Sequence, residues 1–228
     1  MMKTRLILLF ALIWTVCPAA PPQGYFHTTP GNTLHYVRHA PDSEDISWIH
    51  NSRIGAKKPL DDGSIEVGFT TTIISGKMKS PLKSPVSSHV ILHPNGTVEL
   101  DVAQAAVMAA KQRFSIFDFT ASGGTSILPA TLKPGDRLDD IHAVVSWSGI
   151  KYTIDYTERL VLRRESVTVP AGTFDCIVVR EHKLEKAPLM KRDRITLTWY
   201  ALGYGMVRHD TFFINGDVET TEQLESII

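Results

Sequence analysis

Nine histidines are the residues of this chain whose type and spacing most readily suggest chemistry. His35 and His39 lie four residues apart, as do His89 and His93, and on a helix either pair could chelate a metal ion. On a strand, four residues span about 13 Å, too far for one ion whose bonds to nitrogen are about 2 Å long. Because both pairs fall in strand-like segments, we expect structural or surface histidines and no metal site, unless a neighbouring strand supplies a partner.

Other residues that could act in catalysis do not occur in the sequence patterns that known catalytic mechanisms need. Paired carboxylates occur at Asp139-Asp140 and at Asp155 with Glu158, but a glycosidase needs two held about 5 to 10 Å apart in a cleft. Ser122-Gly123-Gly124 lies in a predicted flexible loop without the Gly-x-Ser-x-Gly frame of an esterase. No glycine-rich phosphate loop joins a strand to a helix. We therefore predict a protein that is not an enzyme and has no catalytic residue, metal or cofactor.

The first nineteen residues predict the compartment. Lys3 and Arg5 precede an apolar run from Leu6 to Val16, and small residues follow at Cys17-Pro18-Ala19. This order is typical of a secretory signal peptide, here cleaved after Ala19. We expect residues 1–19 to be removed and the protein to be periplasmic or secreted.

Two alternatives to a cleaved signal peptide are weaker. A lipid anchor on Cys17 would normally follow Leu and two small residues, and Trp14-Thr15-Val16 matches that pattern poorly. A retained membrane anchor needs about 20 apolar residues, and the run from Leu6 to Val16 has eleven. Residues 20–228 remain, and we expect them to form a single β-rich domain.

Charge and cysteine content narrow the function further. Loss of Lys3 and Arg5 leaves 22 basic against 24 acidic residues, so nucleic acid binding has no electrostatic basis. Cys176 is then the only cysteine, which rules out an intramolecular disulfide. Its alternation with Phe174 and Val178 in a strand-like segment predicts a buried small side chain and not a reactive thiol.

Alternating polar and apolar residues between Gly, Pro and Asn predict a mainly antiparallel β protein. Strands are expected at residues 32–39, 46–54, 64–74, 88–93, 97–101, 151–163, 194–200, 206–214 and 218–227, with an exposed loop at 77–85. Asn95-Gly96 predicts a hairpin between two of them. Along 151–163, Leu160 and Leu162 share one face and Arg159 lies on the polar, wet face.

One segment predicts a helix within this β pattern. Asp101 can cap residues 101–114, Gln104 follows three residues later, and the run is rich in alanine. Val107, Met108 and Phe114 add apolar bulk, so we expect the helix to pack deeply against the sheet. The predicted fold is a curved antiparallel sheet or half-open β-barrel with one central helix.

Two motifs in the second half carry a resemblance to a known family. Val169-Pro170-Ala171-Gly172-Thr173-Phe174 and Trp199-Tyr200-Ala201-Leu202-Gly203-Tyr204-Gly205 resemble those of the TapB-like secreted bacterial β proteins, domains of unknown function, with Leu202 where proline is commoner. A Gly135-Asp136 turn also matches. The resemblance covers residues 125–228 best. It implies export, often in Bacteroides-like Gram-negative bacteria, and a curved sheet similar to periplasmic lipoprotein-carrier folds; it implies no established activity.

Two functions from different classes fit this fold. A curved sheet with one helix encloses an apolar concavity if the helix does not fill it. The first hypothesis is therefore a cell-envelope protein that binds a hydrophobic small molecule or lipid there, with Trp147, Trp199 and Met108 as the predicted lining. The second is a scaffold or adaptor that binds another envelope protein through an exposed face or sheet edge, the lysine-containing loop 77–85 contacting an acidic partner.

Overall fold

Thirteen β-strands and one α-helix make up the described part of the chain, residues 23–41, 43, 45–76, 85–113 and 118–228 of a computed structural model. The strands are β1 (Thr33–His39), β2 (Ile46–Pro59), β3 (Ile65–Ser75), β4 (Val86–Leu92), β5 (Val98–Asp101), β6 (Thr120–Gly123), β7 (Thr125–Leu128), β8 (Ile141–Trp147), β9 (Ile150–Val169), β10 (Gly172–Ala187), β11 (Met190–Ala201), β12 (Gly205–Phe213) and β13 (Val218–Ile227), and the helix is α1 (Val102–Arg113). The predicted signal peptide with Cys17, and residues 77–84 of the predicted loop, lie outside the described residues.

The strands form one sheet that nearly closes into a barrel. Its order is β6-β8-β9-β10-β11-β12-β13-β1-β2-β3-β4-β5-β7, and the strand pairs are antiparallel. The two edge strands, β6 and β7, are consecutive in the chain and are separated by Gly124 alone. The chain therefore passes directly from one edge of the sheet to the other, and the predicted barrel-like β fold is confirmed.

Glycines make this crossing possible. Gly123 and Gly124 have φ values of +76° and +82°, in the region that favours glycine. A Cβ atom on Gly123 would lie 2.6 Å from the carbonyl oxygen of His142, and one on Gly124 would lie 2.9 Å from the Cβ of Ala143. Gly124 also accepts a hydrogen bond of 2.7 Å from Val102 N, at the start of α1. The predicted flexible loop is thus a tightly packed corner.

The helix covers the gap between the two sheet edges. Asp101 Oδ1 accepts a hydrogen bond of 3.2 Å from the amide of Gln104, which confirms the predicted cap. The small side chains of α1 pack against β8 and against Val86 of β4. The buried members of this cluster are Val86, Ala103, Ala106, Val107, Ala110, Ala143, Val145, Trp147, Tyr152 and Ile154. The helix therefore fills only one side of the barrel interior. No helix in the described part of the chain is long and apolar enough to cross a membrane.

A bulge in β9 reverses the predicted faces of that strand beyond residue 158, whereas Tyr152 and Ile154 before it are buried as predicted. Glu158 has a φ of +51°, and the register with β10 shifts between Arg180 and His182. Such a bulge adds one residue to the strand and changes which side chains point inward. Arg159 is 2% exposed, whereas Leu160 is only partly buried. The predicted wet face for Arg159 is wrong, because alternation along the sequence does not reveal the bulge.

Candidate ligand-binding site

An apolar cavity of about 240 Å³ lies inside the barrel, beside the N-terminal segment. Its larger lining side chains are aromatic or aliphatic: Tyr25, Phe26, Leu34, Tyr36, Ile54, Phe69, Leu100, Leu128, Tyr200, Tyr204 and Met206. A few polar side chains, including His50, Ser52 and Thr71, complete the lining. A concave apolar surface with few polar groups is the usual form of a small-molecule site.

Strand alternation places these side chains inside the barrel. Successive residues of a strand point to opposite faces. Ser52 and Ile54 of β2 line the cavity, whereas the intervening Arg53 lines a shallow depression on the outer face. The same holds for β3, where Thr71 faces the cavity and Thr70 the outer depression. The lining is therefore set by the register of the strands.

An N-terminal segment, residues 23–32, covers this end of the barrel. Gly24 O accepts a hydrogen bond of 2.7 Å from Gly203 N, and His27 Nδ1 lies 3.2 Å from the carbonyl oxygen of Gly203. The rings of Phe26 and Phe69 are 5.5 Å apart. Burial lowers the pKa of His27 below its ordinary value, which favours the neutral ring under this cover.

A polar cavity of about 160 Å³ continues from the apolar one. Leu100, Tyr200 and Met206 line both. Most of the new members carry a hydrogen-bonding or charged group, namely Ser126, Tyr156, Arg159, Glu181, Thr198 and His209. Hydrogen-bonding and charged side chains are therefore more frequent in the interior away from the covered end.

A buried ion pair crosses this polar region. Arg159 Nε donates to Glu181 Oε1 at 2.7 Å, and the two side chains are 2% and 7% exposed. The other guanidinium nitrogens donate to Ser126 Oγ at 2.8 Å and to the carbonyl oxygen of Asp139 at 2.7 Å. Since every nitrogen of the guanidinium has an acceptor, the charge is compensated in spite of its burial.

Charged side chains line the far end of the interior. A third cavity, of about 230 Å³, shares His209 with the polar one and is lined by Arg38, Trp48, Lys183, Glu185, Arg192, Arg194, Thr211, Glu219 and Thr220. Arg38 Nε donates to Glu222 Oε2 at 2.9 Å, and His50 Nδ1 lies 3.0 Å from the other oxygen of Glu222. The three cavities lie one after another along the interior, and we call them together the groove; the side chains around it change from apolar at the covered end to charged at the far end.

Burial and neighbouring charges set the titration of the groups in the groove. Burial raises the pKa of Tyr156 and of Tyr200, so both hydroxyls stay neutral. Burial lowers the pKa of His209 to about 4, with a further contribution from Arg38. Burial alone would raise the pKa of Glu222, but Arg38 and His50 outweigh it and hold that pKa well below its usual range. At neutral pH, His209 is therefore uncharged and Glu222 is ionised.

Trp199, one of the predicted lining residues, lies on the outer face of the sheet. Its neighbours Thr198 and Tyr200 line the interior cavities, so the indole points the other way. Its Nε1 donates to Glu165 Oε1, and the guanidinium of Arg208 lies 4.9 Å from the ring centroid. Trp199 is 5% exposed and contributes to the core. It does not line the apolar cavity.

The other two predicted lining residues belong to the helix side of the barrel. Trp147 is 5% exposed and packs in the cluster beneath α1, with its ring 5.2 Å from that of Phe119. Met108 lies in α1, and its side chain is outside the described part of the structure. Trp147 is absent from the lining of the apolar cavity. Trp147 therefore lies on the side of the interior that the helix fills.

Sequence reasoning predicted an apolar concavity but did not identify the side chains that line the groove, because many strands contribute a few residues each. One available signal was the run Cys176-Ile177-Val178-Val179, in which all four residues are 3% exposed or less. A continuous apolar run indicates a strand covered on both faces. The charged side chains further along β10, such as Glu181 and Glu185, were then candidates for an enclosed face and not for a solvated one.

One histidine of each pair is held by hydrogen bonds to residues other than the second histidine. His35 Nδ1 lies 2.5 Å from Asn51 Oδ1, and His93 contacts Ser64 Oγ at 2.9 Å and Glu99 Oε1 at 2.7 Å. Within the described residues, no group of three or more His, Cys, Asp or Glu side chains is placed to hold a metal ion.

The fold and the groove define a class of protein, a nearly closed antiparallel barrel with an apolar cavity in its interior. Residues 63–224 match the model of the DUF3108-like family, and the chain belongs to that family. The finer resemblance to TapB-like proteins stays a prediction. No curated protein matches the chain.

Two solved structures share the fold. One is described as a "putative exported protein with YmcC-like fold" from Bacteroides fragilis NCTC 9343; it is 19% identical, with a TM-score of 0.77 over 90% of this chain and 99% of the other. The second is described as a "putative lipoprotein" from Parabacteroides distasonis ATCC 8503, at 16% identity and a TM-score of 0.75, covering 91% of this chain and 99% of the other. At these identities the likeness establishes the fold alone.

Proposed function

We propose that this protein is an exported, non-enzymatic component of the cell envelope that binds a hydrophobic or lipid-like molecule inside the barrel. The observation that carries the proposal is the apolar cavity of about 240 Å³ between the N-terminal segment and the barrel wall. Its space remains open because α1 packs on the other side of the interior. The descriptions of the two structural neighbours as exported protein and lipoprotein, and the predicted signal peptide, support the location.

A neutral fluorescent probe tests the proposal. N-phenyl-1-naphthylamine, which is apolar and uncharged, should bind to residues 20–228 with a saturable rise in fluorescence. Leu100→Trp places a larger side chain in the cavity and should abolish that rise, because Leu100 lines the cavity wall. Ile127→Trp is the matched control, since Ile127 is 41% exposed on the adjacent strand β7 and lies away from the cavity.

Circular dichroism must show that both variants are folded. Met206→Phe, at another position in the lining, serves as the second blocking variant if Leu100→Trp does not fold. The proposal is wrong if the probe does not bind, or if a folded blocking variant binds it as well as the unchanged protein does. If the probe binds in the cavity, native mass spectrometry of protein from its own host, followed by organic extraction, would identify the natural ligand.

The scaffold hypothesis remains a prediction with less support. Its lysine-containing loop lies largely outside the described residues. Affinity capture of the chain from envelope extracts tests it, and a stoichiometric envelope protein in the captured material would favour a scaffold.

A further inference from the structure

We infer that the charged end of the groove is an anion-binding subsite, and that the ligand is an amphiphile with an apolar part and a phosphate or carboxylate group. The inference rests on the proposed function, since the apolar part would occupy the apolar cavity. The inference begins from the charged side chains around the third cavity. Four cationic side chains line this cavity. The described carboxylates there are three, two in the lining and that of Glu222 beside it.

Of the four cations, Lys183 is the one whose closest ion pair is the longest. Arg192 Nη2 and Arg194 Nε lie 2.7 and 2.8 Å from the carboxylate of Glu219, and Arg38 is bound to Glu222. Lys183 Nζ lies 3.6 Å from its nearest carboxylate in the described structure, that of Glu185. This separation exceeds the 2.7–3.2 Å of an N–H···O hydrogen bond.

The surroundings of Lys183 favour an additional anion. Glu185 already accepts a hydrogen bond from Tyr152, and Arg192 Nη1 lies 3.7 Å from its other oxygen. The ammonium lies 5.6 Å from the ring centroid of Tyr156, and its side chain is only 22% exposed. Burial lowers the pKa of Lys183, so the site penalises the positive charge that an anion would stabilise.

The two ends of the groove are placed for one molecule. Tyr200 lines the apolar cavity and Arg194 the charged one, and both lie on the inward face of β11. Six residues of a strand span about 20 Å. The hydroxyl groups of Thr198 and Tyr156 lie along the polar cavity between the two ends. An elongated amphiphile fits this order of surroundings better than a compact apolar molecule does.

Three ligands separate the possibilities. Dodecyl phosphate carries both chemical features, dodecanol carries the apolar one alone, and inorganic phosphate carries the anion alone. Titration calorimetry below the micelle-forming concentration should show that dodecyl phosphate binds about tenfold more tightly than dodecanol, and that inorganic phosphate binds weakly. Lys183→Met should remove the preference for dodecyl phosphate and leave dodecanol binding unchanged.

Lys191→Met is the matched control. Lys191 Nζ also lies 3.6 Å from a carboxylate, that of Asp193, but its side chain is 63% exposed and lies outside the lining of the groove. This variant should keep the preference for dodecyl phosphate. Where Lys183→Met does not fold, a salt titration of the unchanged protein replaces it, and the preference should decrease as ionic strength rises.

The outcomes distinguish this inference from the proposed function. Equal binding of dodecanol and dodecyl phosphate overturns the anion subsite and leaves the apolar site standing. Binding of neither overturns the proposed function. Tight, Lys183-dependent binding of inorganic phosphate alone assigns the subsite to a free anion and overturns the amphiphile.

Discussion

Arg159 shows how one residue organises the interior. Its guanidinium makes hydrogen bonds to Glu181, Ser126 and the Asp139 carbonyl group, and so connects β9 to β10, to β7 and to the segment before β8. A buried ion pair is costly to desolvate, and breaking one partner of such a pair costs more than replacing both. The pair therefore stabilises this arrangement only while both partners are present.

Removal of Arg159 alone should strongly destabilise the protein. Arg159→Met leaves Glu181 buried without its cation, and the free energy of unfolding should fall by about 3–5 kcal/mol. The double variant Arg159→Met with Glu181→Leu should lose clearly less of the free energy of unfolding. Urea unfolding measures this free energy for the single and the double variant. Arg163→Met is the control, because Arg163 is 45% exposed and its pair with Glu165 contributes at most about 1 kcal/mol; an equal loss in this control would contradict the argument.

His209 should make stability depend on pH. Its folded pKa is about 4 against an ordinary value of 6.5, because burial, Arg38 and Lys183 disfavour its charge more than Glu222 favours it. Between these two values the unfolded chain binds a proton that the folded protein does not. The contribution of His209 to the free energy of unfolding is therefore greatest above pH 6.5 and is lost as pH falls towards 4.

A His209→Gln variant isolates that contribution. Gln keeps a side chain able to form a hydrogen bond with Thr198, whose Oγ1 lies 2.8 Å from His209 Nδ1, and it does not titrate. The free energy of unfolding in urea should be higher for the unchanged protein than for the variant at pH 7, and this difference should decrease by at most about 3 kcal/mol between pH 7 and pH 4. A difference in unfolding free energy that does not vary with pH would contradict the prediction.

At the scale of elements, the corner between β6 and β7 determines whether the barrel can close. Both edge strands are short, and α1 begins where Gly124 accepts the hydrogen bond from Val102. The corner therefore holds the two edges and the helix together. An edge strand left open would be a site for unwanted pairing, and closure removes it.

Substitution of Gly124 should be costly. Gly124→Ala combines a positive φ with a Cβ only 2.9 Å from that of Ala143, and we expect a loss of about 2–4 kcal/mol. Gly149→Ala is the matched control, since Gly149 has a φ of +78° and nothing within 4 Å of an added Cβ. It should lose only about 1 kcal/mol of backbone strain. Thermal unfolding compares the two, and equal losses would show that crowding at the corner is unimportant.

At the scale of the whole molecule, β10 lies between β9 and β11, and its residues 176–179 are buried on both faces. Cys176 lies in this run, 3% exposed, and its thiol lies 3.5 Å from the carbonyl oxygen of Phe174. Burial raises the pKa of this thiol to about 12. Both effects oppose its reaction in the folded state.

Cys176 should therefore report global unfolding. With residues 1–19 removed it is the only thiol, so Ellman's reagent should react slowly in buffer and in proportion to the unfolded fraction in urea. The rate at each urea concentration is compared with the unfolded fraction from circular dichroism. Fast reaction in buffer would indicate local opening of β10.

Much of the secondary structure follows from the sequence alone, because it depends on neighbouring residues. The hairpin at Asn95-Gly96 forms as predicted, with a 2.9 Å hydrogen bond from His93 N to Thr97 O, and α1 begins at its predicted cap. Turn chemistry and caps act over a few residues, so a local pattern is sufficient to predict them.

The site was decided by the tertiary structure. The bulge at Glu158 turns Arg159 inward, and the register of β11 places Trp199 outside and Tyr200 inside. Which strand faces become the interior depends on how thirteen strands close around α1, and that closure joins residues far apart in the chain. The sequence by itself determined a barrel-like β fold with one helix. Only the closed sheet brought apolar and charged side chains together in one groove, since they come from strands that are far apart in the chain.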